Sequence, residues 1–290
     1  MENLLQETKM IMKKNNIKAN KSLGQNFLIN EEVVNGIIKS SDISKEDLII
    51  EIGPGLGTLT KYLLEKAGKV ICVELDSRMI KILKDRFFLY DNLEIINQDI
   101  LKVNLKEIIR NEKEKGKIKT AKIVANLPYY ITTPIVMKLL EEKLDLESIT
   151  VMVQKEVANR LIACPGDKET GAITYAVYYY AKAEGIMEVT KNSFIPAPEV
   201  TSKVIKLKLR KEPQVKVRNE KLMFEIIKSA FMQRRKTLLN ALTNTKVFIN
   251  KEEGTQILEK LGLDTNIRPE KLSLENFADI TNMLIINYKS

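Results

Sequence analysis

Apolar positions in the first two thirds of the chain follow two alternating patterns. Short continuous apolar runs have the length and composition of buried strands, and between them apolar residues recur every three or four positions, as on one face of a helix. Strands are predicted by these runs at residues 48–52, 70–74, 93–99, 122–125 and 148–153, with two more at 184–190 and 203–209. Strands that alternate with helices predict an α/β fold built on a mostly parallel sheet.

The pattern changes near residue 211, beyond which only helical spacing remains. Helices are predicted around residues 224–231, 252–261 and 274–286. With 290 residues the chain is long enough to form two compact parts. We therefore predict a sheet-containing domain at residues 1–210 and a smaller, all-helical domain at residues 211–290.

The turn after the fourth predicted strand has a composition suited to one kind of chemistry. Asn126 and the carbonyl of Leu127 can both accept hydrogen bonds from an amino group, and Pro128 fixes the backbone so that these oxygens converge. Tyr129 offers a ring face to a flat base. Together these groups can hold the exocyclic amine of a nucleobase for attack on a methyl group. The alternative is an ordinary turn that contains an asparagine, a proline and two buried tyrosines.

A glycine turn follows the first of these strands and precedes a helix. Gly53, Gly55 and Gly57 allow a ligand to approach the backbone and the amides of the helix. The next strand ends in Glu74, and a carboxylate in that position can hold the two hydroxyls of a ribose. The G-x-G-x-G spacing differs from that of dinucleotide-binding turns and favours a nucleoside-type ligand over a pyrophosphate. Asp99, after the third strand, either accepts from the adenine amino group of that ligand or starts a helix.

Two further segments can reach the same ligand. Gln25 and Asn26 lie in a polar stretch before a helix, where they either bind the ligand or cap the turn, and the local pattern favours capping. Phe194 precedes two prolines spaced by one residue, which form a rigid extended segment. A ring held there can face Tyr129 across a flipped base. Taken alone, however, this segment favours a core phenylalanine beside a stiff connector.

Positive charge is concentrated in the last third of the chain. The formal net charge is +9, from 47 basic and 38 acidic residues. Residues 201–290 carry 18 basic and 10 acidic residues, whereas the first 200 residues carry 29 and 28. The asymmetry, with Arg234, Arg235 and Lys236 in one run, favours a polyanionic partner for the last third. A lysine-rich protein with no such partner is the alternative.

The composition argues against several kinds of mechanism and several cellular locations. The chain contains no histidine, which excludes a histidine base, and with only two cysteines a zinc site is not expected. Cys72 lies in an apolar strand and is predicted to belong to the core. No apolar run approaches the roughly 20 residues of a membrane helix, and no signal region is found at Met1. A soluble protein of the reducing cytoplasm is therefore expected.

The ordered set of motifs resembles a known family almost from end to end. It is similar to the Rossmann-type S-adenosylmethionine-dependent methyltransferases and, more narrowly, to the small-subunit ribosomal RNA adenine dimethyltransferase A family. The resemblance rests on L-G-Q-N-F-L at 23–28, E-I-G-P-G-L-G at 51–57, V-E-L-D at 73–76, Q-D-I-L at 98–101, N-L-P-Y at 126–129, S-F-I-P-A-P-E-V-T-S at 193–202, Q-R-R-K-T-L at 233–238 and R-P-E-K-L-S-L at 268–274. Tyr130 is a departure, because family members often carry Asn there.

The resemblance implies a site and a substrate. The residues it implies for binding S-adenosylmethionine are Asn26, Leu28, Gly53, Gly55, Glu74, Asp99 and Asn126. The catalytic residues it implies are Asn126, Leu127, Pro128, Tyr129 and Phe194. The family dimethylates two adjacent adenosines in a hairpin loop near the 3′ end of 16S rRNA. The expected partner is thus 16S rRNA within the small ribosomal subunit or its precursor, bound by a monomer and without a metal ion.

Four other functions are compatible with parts of the sequence. The large-subunit rRNA adenine methyltransferases of macrolide resistance share the N-terminal half, but that group more often shows N-I-P-Y-N and lacks the two C-terminal motifs. DNA adenine methyltransferases usually carry Asp or Asn before Pro-Pro-Tyr. A non-catalytic ribosome assembly factor with the same fold would bind the particle without transferring methyl groups. A dehydrogenase would bind a nicotinamide cofactor at the glycine turn.

Overall fold

A computed structural model of the chain describes residues 3–20, 24–233 and 235–287. The helices of that part are α1 (Leu4–Lys14), α2 (Glu31–Ser40), α3 (Thr58–Lys66), α4 (Ser77–Arg86), α5 (Leu105–Glu114), α6 (Thr132–Glu141), α7 (Lys155–Ile162), α8 (Ala172–Tyr180), α9 (Glu220–Met232), α10 (Leu238–Asn244), α11 (Lys251–Lys260) and α12 (Leu274–Asn287). The strands are β1 (Phe27–Leu28), β2 (Asp47–Ile52), β3 (Lys69–Glu74), β4 (Leu93–Asn97), β5 (Thr120–Asn126), β6 (Ser148–Gln154), β7 (Ala181–Val189), β8 (Phe194–Ile195) and β9 (Ser202–Leu209).

Seven of these strands form one sheet in the order β4-β3-β2-β5-β6-β9-β7. From β4 to β6 neighbouring strands are parallel, and β9 pairs with β6 in the antiparallel direction. The predicted α/β fold with a mostly parallel sheet is confirmed. The strand order reverses between β2 and β5, since chain progress from β2 runs toward β4 and progress from β5 runs toward β6. Ligands of open α/β sheets bind at such a switch point, outside the carboxyl ends of the strands.

The central strands are buried because other strands and packed helices cover them. All six residues of β2 are buried, and the middle five of β5 are buried as well. This explains why both strands have consecutive apolar residues at their centres, Leu48–Ile50 and Ile123–Ala125, rather than an alternating pattern. Cys72, on β3, lies in the same hydrophobic core, as the sequence predicts, and burial raises the pKa of its thiol well above the usual value.

A second, two-stranded sheet was not predicted by the apolar pattern. In it β1 pairs with β8 in the antiparallel direction, with Phe27 opposite Ile195 and Leu28 opposite Phe194. Each strand has only two residues, too few for a periodicity signal. The pairing fixes the segment that leads to the start of α2, where Asn30 caps the helix as its sequence suggests.

The chain forms two compact units. One contains the residues up to 158 together with 183–209, and the other contains residues 159–182 together with those from 210 onward. The helix α8 belongs to the second unit. There Tyr175 is fully buried and its hydroxyl donates to the carbonyl of Leu272 at 2.7 Å. The domain boundary expected between residues 210 and 211 stays a prediction. No helix in the described residues is both long and apolar enough to cross a bilayer.

Candidate active site

A cleft of about 300 Å³ opens at the switch point of the sheet. Its lining comes from the carboxyl ends of β2, β3 and β5, from the turn after β4, and from the segment around β1. Its volume is at the lower end of the range for sites of small ligands and cofactors. Of the predicted site residues, those that line the cleft are Asn26, Leu28, Gly53, Gly55, Glu74, Asp99, Asn126, Leu127, Pro128 and Tyr129.

The glycine turn after β2 requires glycine for its backbone conformation. Gly53, Gly55 and Gly57 have φ angles of 66°, 57° and 82°, in the left-handed region that other residues rarely adopt. At Gly57 a side chain would also collide with α4 and the residue after it, because an added Cβ would lie 2.9 Å from Leu83 and 2.6 Å from the ring of Phe87. The third glycine therefore allows close packing against a neighbouring helix. The first two keep the floor of the cleft free of side chains.

Glu74 is held at the end of β3 as an oriented acceptor. The residue is 8% exposed, and its two carboxylate oxygens accept from the amides of Asp76 at 2.8 Å and Gly55 at 3.2 Å. Burial raises the pKa of Glu74. Because both oxygens are fixed by backbone amides, the side chain is positioned before any ligand binds. A carboxylate at this place suits a ribose diol.

Asp99 has a capping role in the structure and lies at the rim of the same cleft. Strand β4 ends at Asn97, two residues before the predicted end, and Asp99 begins a short 3₁₀ turn. One of its oxygens accepts from the amide of Leu101 at 3.0 Å. The alternative that Asp99 starts a helix is thus close to what is found. The second oxygen of the same carboxylate can still accept from an amino group in the cleft.

Glu51 also lines the cleft, although it was not predicted as a site residue. It is 2% exposed, and its carboxyl group accepts from Thr60 Oγ1 at 2.6 Å and from Cys72 Sγ at 3.6 Å. Burial raises the pKa of Glu51 to about 7. The hydrogen bond to Thr60 joins the end of β2 to α3 on the far side of the glycine turn. Glu51 therefore stabilises the turn from beneath.

The amide of Asn126 is oriented by a backbone carbonyl. Its Nδ2 donates to the carbonyl oxygen of Asn26 at 3.2 Å. A carbonyl can only accept, so the nitrogen must face Asn26 and the side-chain oxygen must face away from it. This leaves Oδ1 of Asn126 as an acceptor beside the cleft, as the predicted role requires.

The turn from Asn126 to Thr132 is rigid. Leu127 N donates to Met152 O at 3.1 Å, and Thr132 Oγ1 donates to Pro128 O at 3.0 Å. The hydroxyl of Tyr129 shares a short hydrogen bond with Ser202 on β9, and burial raises the pKa of that hydroxyl. The partner of Tyr129 was not identified from the sequence. Ser202 ends the proline-containing motif, and the sequence carries no signal for such a long-range contact.

The segment before α2 bridges the two sides of the cleft. Gln25 Nε2 donates to Asp76 Oδ2 at 2.9 Å, on the side of β3, and Asn26 O accepts from Asn126 on the side of β5. Gln25 also accepts from the amide of Asn20 at 2.8 Å. Its side chain therefore makes both a local turn contact and a contact with a distant element. Leu23, the first residue of the corresponding motif, lies outside the described residues.

Phe194 is the one predicted site residue that the structure does not bring to the cleft. It is 3% exposed, pairs with Leu28 across the small sheet, and belongs to the hydrophobic core. The structure places Phe194 in the core and not in the lining of the cleft, where a sandwich with Tyr129 around a base would require it. The core position agrees with what the segment favours when it is taken alone, because the Phe194 backbone is fixed by β1.

The fold defines a Rossmann-type methyltransferase, whose cleft is lined by the glycine turn on one side and by the turn after β5 on the other. Over residues 16–285 the chain matches the sequence profile of the ribosomal RNA adenine dimethylase family, and it belongs to that family. It is an S-adenosylmethionine-dependent rRNA adenine dimethyltransferase. The cleft fits this cofactor, since a buried, oriented carboxylate and a turn without side chains face the same space.

Relatives and solved structures match this protein over nearly the whole chain. The chain is 48% identical to the ribosomal RNA small subunit methyltransferase A of Alkaliphilus metalliredigens over 275 residues, which is 95% of both chains. It is 47% identical over 282 residues to the protein of that name from Clostridioides difficile, covering 97% of this chain and 96% of the relative. A dimethyladenosine transferase from Plasmodium falciparum has a TM-score of 0.73 at 28% identity, covering 91% and 98%. The 23S rRNA methyltransferase ErmE, at 22% identity and a TM-score of 0.66, shares the fold and covers 90% and 100%.

Proposed function

We propose that this protein dimethylates the exocyclic amino groups of two adjacent adenosines in the hairpin loop near the 3′ end of 16S rRNA. It acts in the cytoplasm as a monomer, on the small ribosomal subunit or its precursor, during subunit biogenesis. The small-subunit assignment is supported by the names of the relatives and by the motifs at 233–238 and 268–274. The observation that carries the chemistry is the fixed Asn126 amide beside the glycine turn.

Different residues of the chain have different roles in the reaction. S-adenosylmethionine, when bound, would supply an electrophilic methyl group whose bond to sulfur breaks as the bond to nitrogen forms. No base is needed before attack, because the surplus amine proton can leave to water afterwards. Oδ1 of Asn126 and the carbonyl of Leu127 accept from the adenine amino group and direct its lone pair into the cleft. As positive charge grows on that nitrogen, both oxygens and the ring face of Tyr129 stabilise it. The rigid turn keeps these groups in place, so little reorganisation is required.

On the other side of the cleft, we assign cofactor contacts to the predicted residues. Glu74 holds the ribose hydroxyls, Asp99 accepts from the adenine amino group, and Gly53 and Gly55 admit the methionine part. Asn26 and Leu28 close the cleft from the N-terminal segment, which a contact between Asn26 and Asn126 fixes. We assign Phe194 to the hydrophobic core and not to a contact with the base.

A methyl-transfer assay on isolated particles tests the proposed substrate. With radiolabelled S-adenosylmethionine, small-subunit particles that lack the modification are expected to take up label, and large-subunit particles are not. Mass spectrometry of the digested rRNA should then show dimethyladenosine at two adjacent positions. Label in 23S rRNA would favour the large-subunit alternative. Binding to the particle without label would favour a non-catalytic assembly factor.

The assigned role of Glu74 predicts a selective loss of cofactor affinity in Glu74→Gln. Losing hydrogen bonds to a charged acceptor costs about 1.5–3 kcal/mol, so the dissociation constant for S-adenosylmethionine should rise roughly 10- to 150-fold. Titration calorimetry measures this directly. Glu94→Gln is the matched control, because Glu94 lies on the adjacent strand with its side chain 47% exposed and paired to Lys69. If the dissociation constant of Glu74→Gln rose by less than about threefold, the assignment of Glu74 to the ribose hydroxyls would be wrong.

The charge run after α9 is assigned to RNA phosphates. Arg235 and Lys236 are exposed, whereas Arg234 lies outside the described residues. Changing Arg235 and Lys236 to Ala should weaken particle binding and reduce the slope of log affinity against log salt by about 1.4–1.8. The control is Lys39→Ala with Lys66→Ala, which removes the same charge from exposed helix positions of the other unit. Equal salt slopes for the two double variants would show that the run makes no phosphate contact.

A further inference from the structure

Tyr130 stands out among the tyrosines because its ring faces solvent. It is 56% exposed and, in the part of the chain that the structure describes, no other tyrosine is classed as exposed. An aromatic ring in water gains nothing from the hydrophobic effect, so burial in the core is not its role. It is also part of the lining of the cleft that contains Asn126 and Tyr129. The exposed ring thus lies at the mouth of the site where the target base is held.

The ring is supported from one side by backbone. Gly24, with φ 59°, lies so close that an added Cβ would be 3.4 Å from Cδ1 of Tyr130. On its other flank the residue belongs to the short 3₁₀ turn Tyr129–Ile131, in which Ile131 N donates to Pro128 O at 3.3 Å. The same turn is tied to α6 through Thr132 and Pro128. Tyr130 is therefore an exposed aromatic ring on a rigid base rather than a freely moving surface side chain.

The two consecutive tyrosines are in different environments. Tyr129 is half-buried and lines the cleft, and its hydroxyl is bound to Ser202, so its ring is held in place. Tyr130 follows it directly in the chain, and consecutive Cα atoms are about 3.8 Å apart. A base that reaches Tyr129 therefore brings the next nucleotide of its strand into the neighbourhood of Tyr130.

An exposed aromatic ring can offset part of the energetic cost of base flipping. When one nucleotide is turned out of a strand, the neighbouring base loses a stacking partner, at a cost of a few kcal/mol. Proteins that bind single-stranded or loop RNA commonly stack aromatic side chains on bases exposed in this way. Stacking requires no particular base, so it can serve two successive target positions with different neighbours.

We propose that Tyr130 is the stacking platform for the nucleotide next to the flipped adenosine. The ring replaces the stacking partner that the neighbouring base loses, and so holds the loop open while the target amine reaches Asn126. This inference rests on the proposed function, because it takes an RNA loop as the substrate. It gives Tyr130 a contact with the substrate and none with the reacting atoms.

The test compares substitutions at Tyr130 in the full-length protein, with undermethylated small-subunit particles as substrate. Tyr130→Ala is expected to raise the KM for particles roughly 5- to 150-fold, the range that base–aromatic stacking gives on alanine substitution. Its kcat at saturating particle concentration and its dissociation constant for S-adenosylmethionine should stay within about threefold of wild type, since the groups that hold amine and cofactor are untouched. Tyr130→Phe keeps the ring and should restore the KM.

Phe88→Ala is the matched control for loss of an exposed aromatic ring. Phe88 is 76% exposed, follows α4, and is not part of the lining of the cleft. Its substitution should leave KM and kcat unchanged. Thermal unfolding of all variants should agree closely, because exposed residues away from special features change stability by about 0.5 kcal/mol or less. A fall in kcat for Tyr130→Ala at unchanged KM would overturn the proposal and indicate a role in holding the turn.

An abasic substitution in the RNA identifies the stacked nucleotide. Particles are assembled with rRNA that lacks the base on the 5′ side or on the 3′ side of the target. If Tyr130 stacks on that base, the KM of Tyr130→Ala on the abasic particle should be no higher than the KM after either change alone. Loss of the ring or of the base already removes the stacking contact. Fully additive effects on both sides would overturn the proposal. If wild-type protein methylated no particle at all, the proposed function would fail instead, independently of Tyr130.

Discussion

Asn126→Ala should lower the turnover of methyl transfer by about 10²–10³-fold, the range found when one oriented hydrogen-bond partner of a transition state is removed. The structure supports a large effect because the amide is held in advance by Asn26 O, with its oxygen turned toward the cleft. Alanine supplies no acceptor at that place, and the residual rate reflects Leu127 and Tyr129. The measurement is single-turnover transfer to small-subunit particles with cofactor and RNA both saturating.

Asn126→Asp is the control that separates the acceptor from the shape of the side chain. Aspartate keeps acceptor oxygens of similar size but cannot donate to Asn26 O. It should therefore retain more activity than alanine, although its orientation is no longer fixed. If Asn126→Ala transferred methyl groups within tenfold of the wild-type rate, the amine-holding role of Asn126 would be wrong. Circular dichroism and thermal unfolding verify that each variant is folded.

Lys122→Met should destabilise the protein by about 3–5 kcal/mol, because it leaves a buried carboxylate without its cation. Lys122 is 4% exposed, and its Nζ lies 2.9 Å from Asp47 Oδ2 and 2.6 Å from Asp42 O. Asp47 is 2% exposed and pairs with it between neighbouring strands, at the end of the sheet opposite the cleft. For a protein of this size the loss corresponds to a fall in Tm of roughly 6–20 °C. Denaturant titration gives the free energy directly.

Two variants control for this prediction. Lys122→Met combined with Asp47→Asn should recover much of the lost stability, since the uncompensated charge is then removed as well. Lys119→Met should cost about 1 kcal/mol or less, because both side chains of the Lys119–Glu46 pair are on the surface, 68% and 56% exposed. An equal loss for Lys122→Met and Lys119→Met would show that the buried pair contributes no more to stability than a surface pair.

The buried pair also predicts a dependence on pH. Burial acts to raise the pKa of Asp47, but hydrogen bonds from Thr120 and Lys122 outweigh it, and the pKa is lower than usual. A carboxyl group with a lowered folded-state pKa stabilises the fold above its unfolded pKa of about 3.9, and the contribution is lost as the pH falls through the lower folded value. The difference between wild type and Lys122→Met should therefore shrink at acidic pH, where Asp47 becomes protonated.

The residues that could be placed from the sequence are those whose role is local. Strand β2 has an apolar centre, Leu48–Ile50, and the glycines that follow it have positive φ, so both the strand and the turn could be predicted. Glu74 and Asn126 were predicted because the carboxyl ends of parallel strands meet at one edge of a sheet. The two residues do line one cleft.

The features that could not be predicted depend on long-range pairing. Gln25 was expected to cap its own turn, and its contact with Asp76 on another element leaves no local pattern. Ser202 is fixed opposite Tyr129 only by the antiparallel pairing of β9 with β6. Phe194 has the same local sequence whether it faces the core or a substrate, and its burial follows from the two-residue strand β1. Sequence order does not reveal contacts of this kind.

The pairing of β1 with β8 also has a consequence for synthesis on the ribosome. Leu28 borders the cleft, and its strand partner Phe194 emerges only after the whole parallel part of the sheet has been translated. Domains generally fold as units during translation, with earlier segments emerging first. Until that late segment appears, a nascent chain lacks the strand pairing that fixes one wall of its donor pocket.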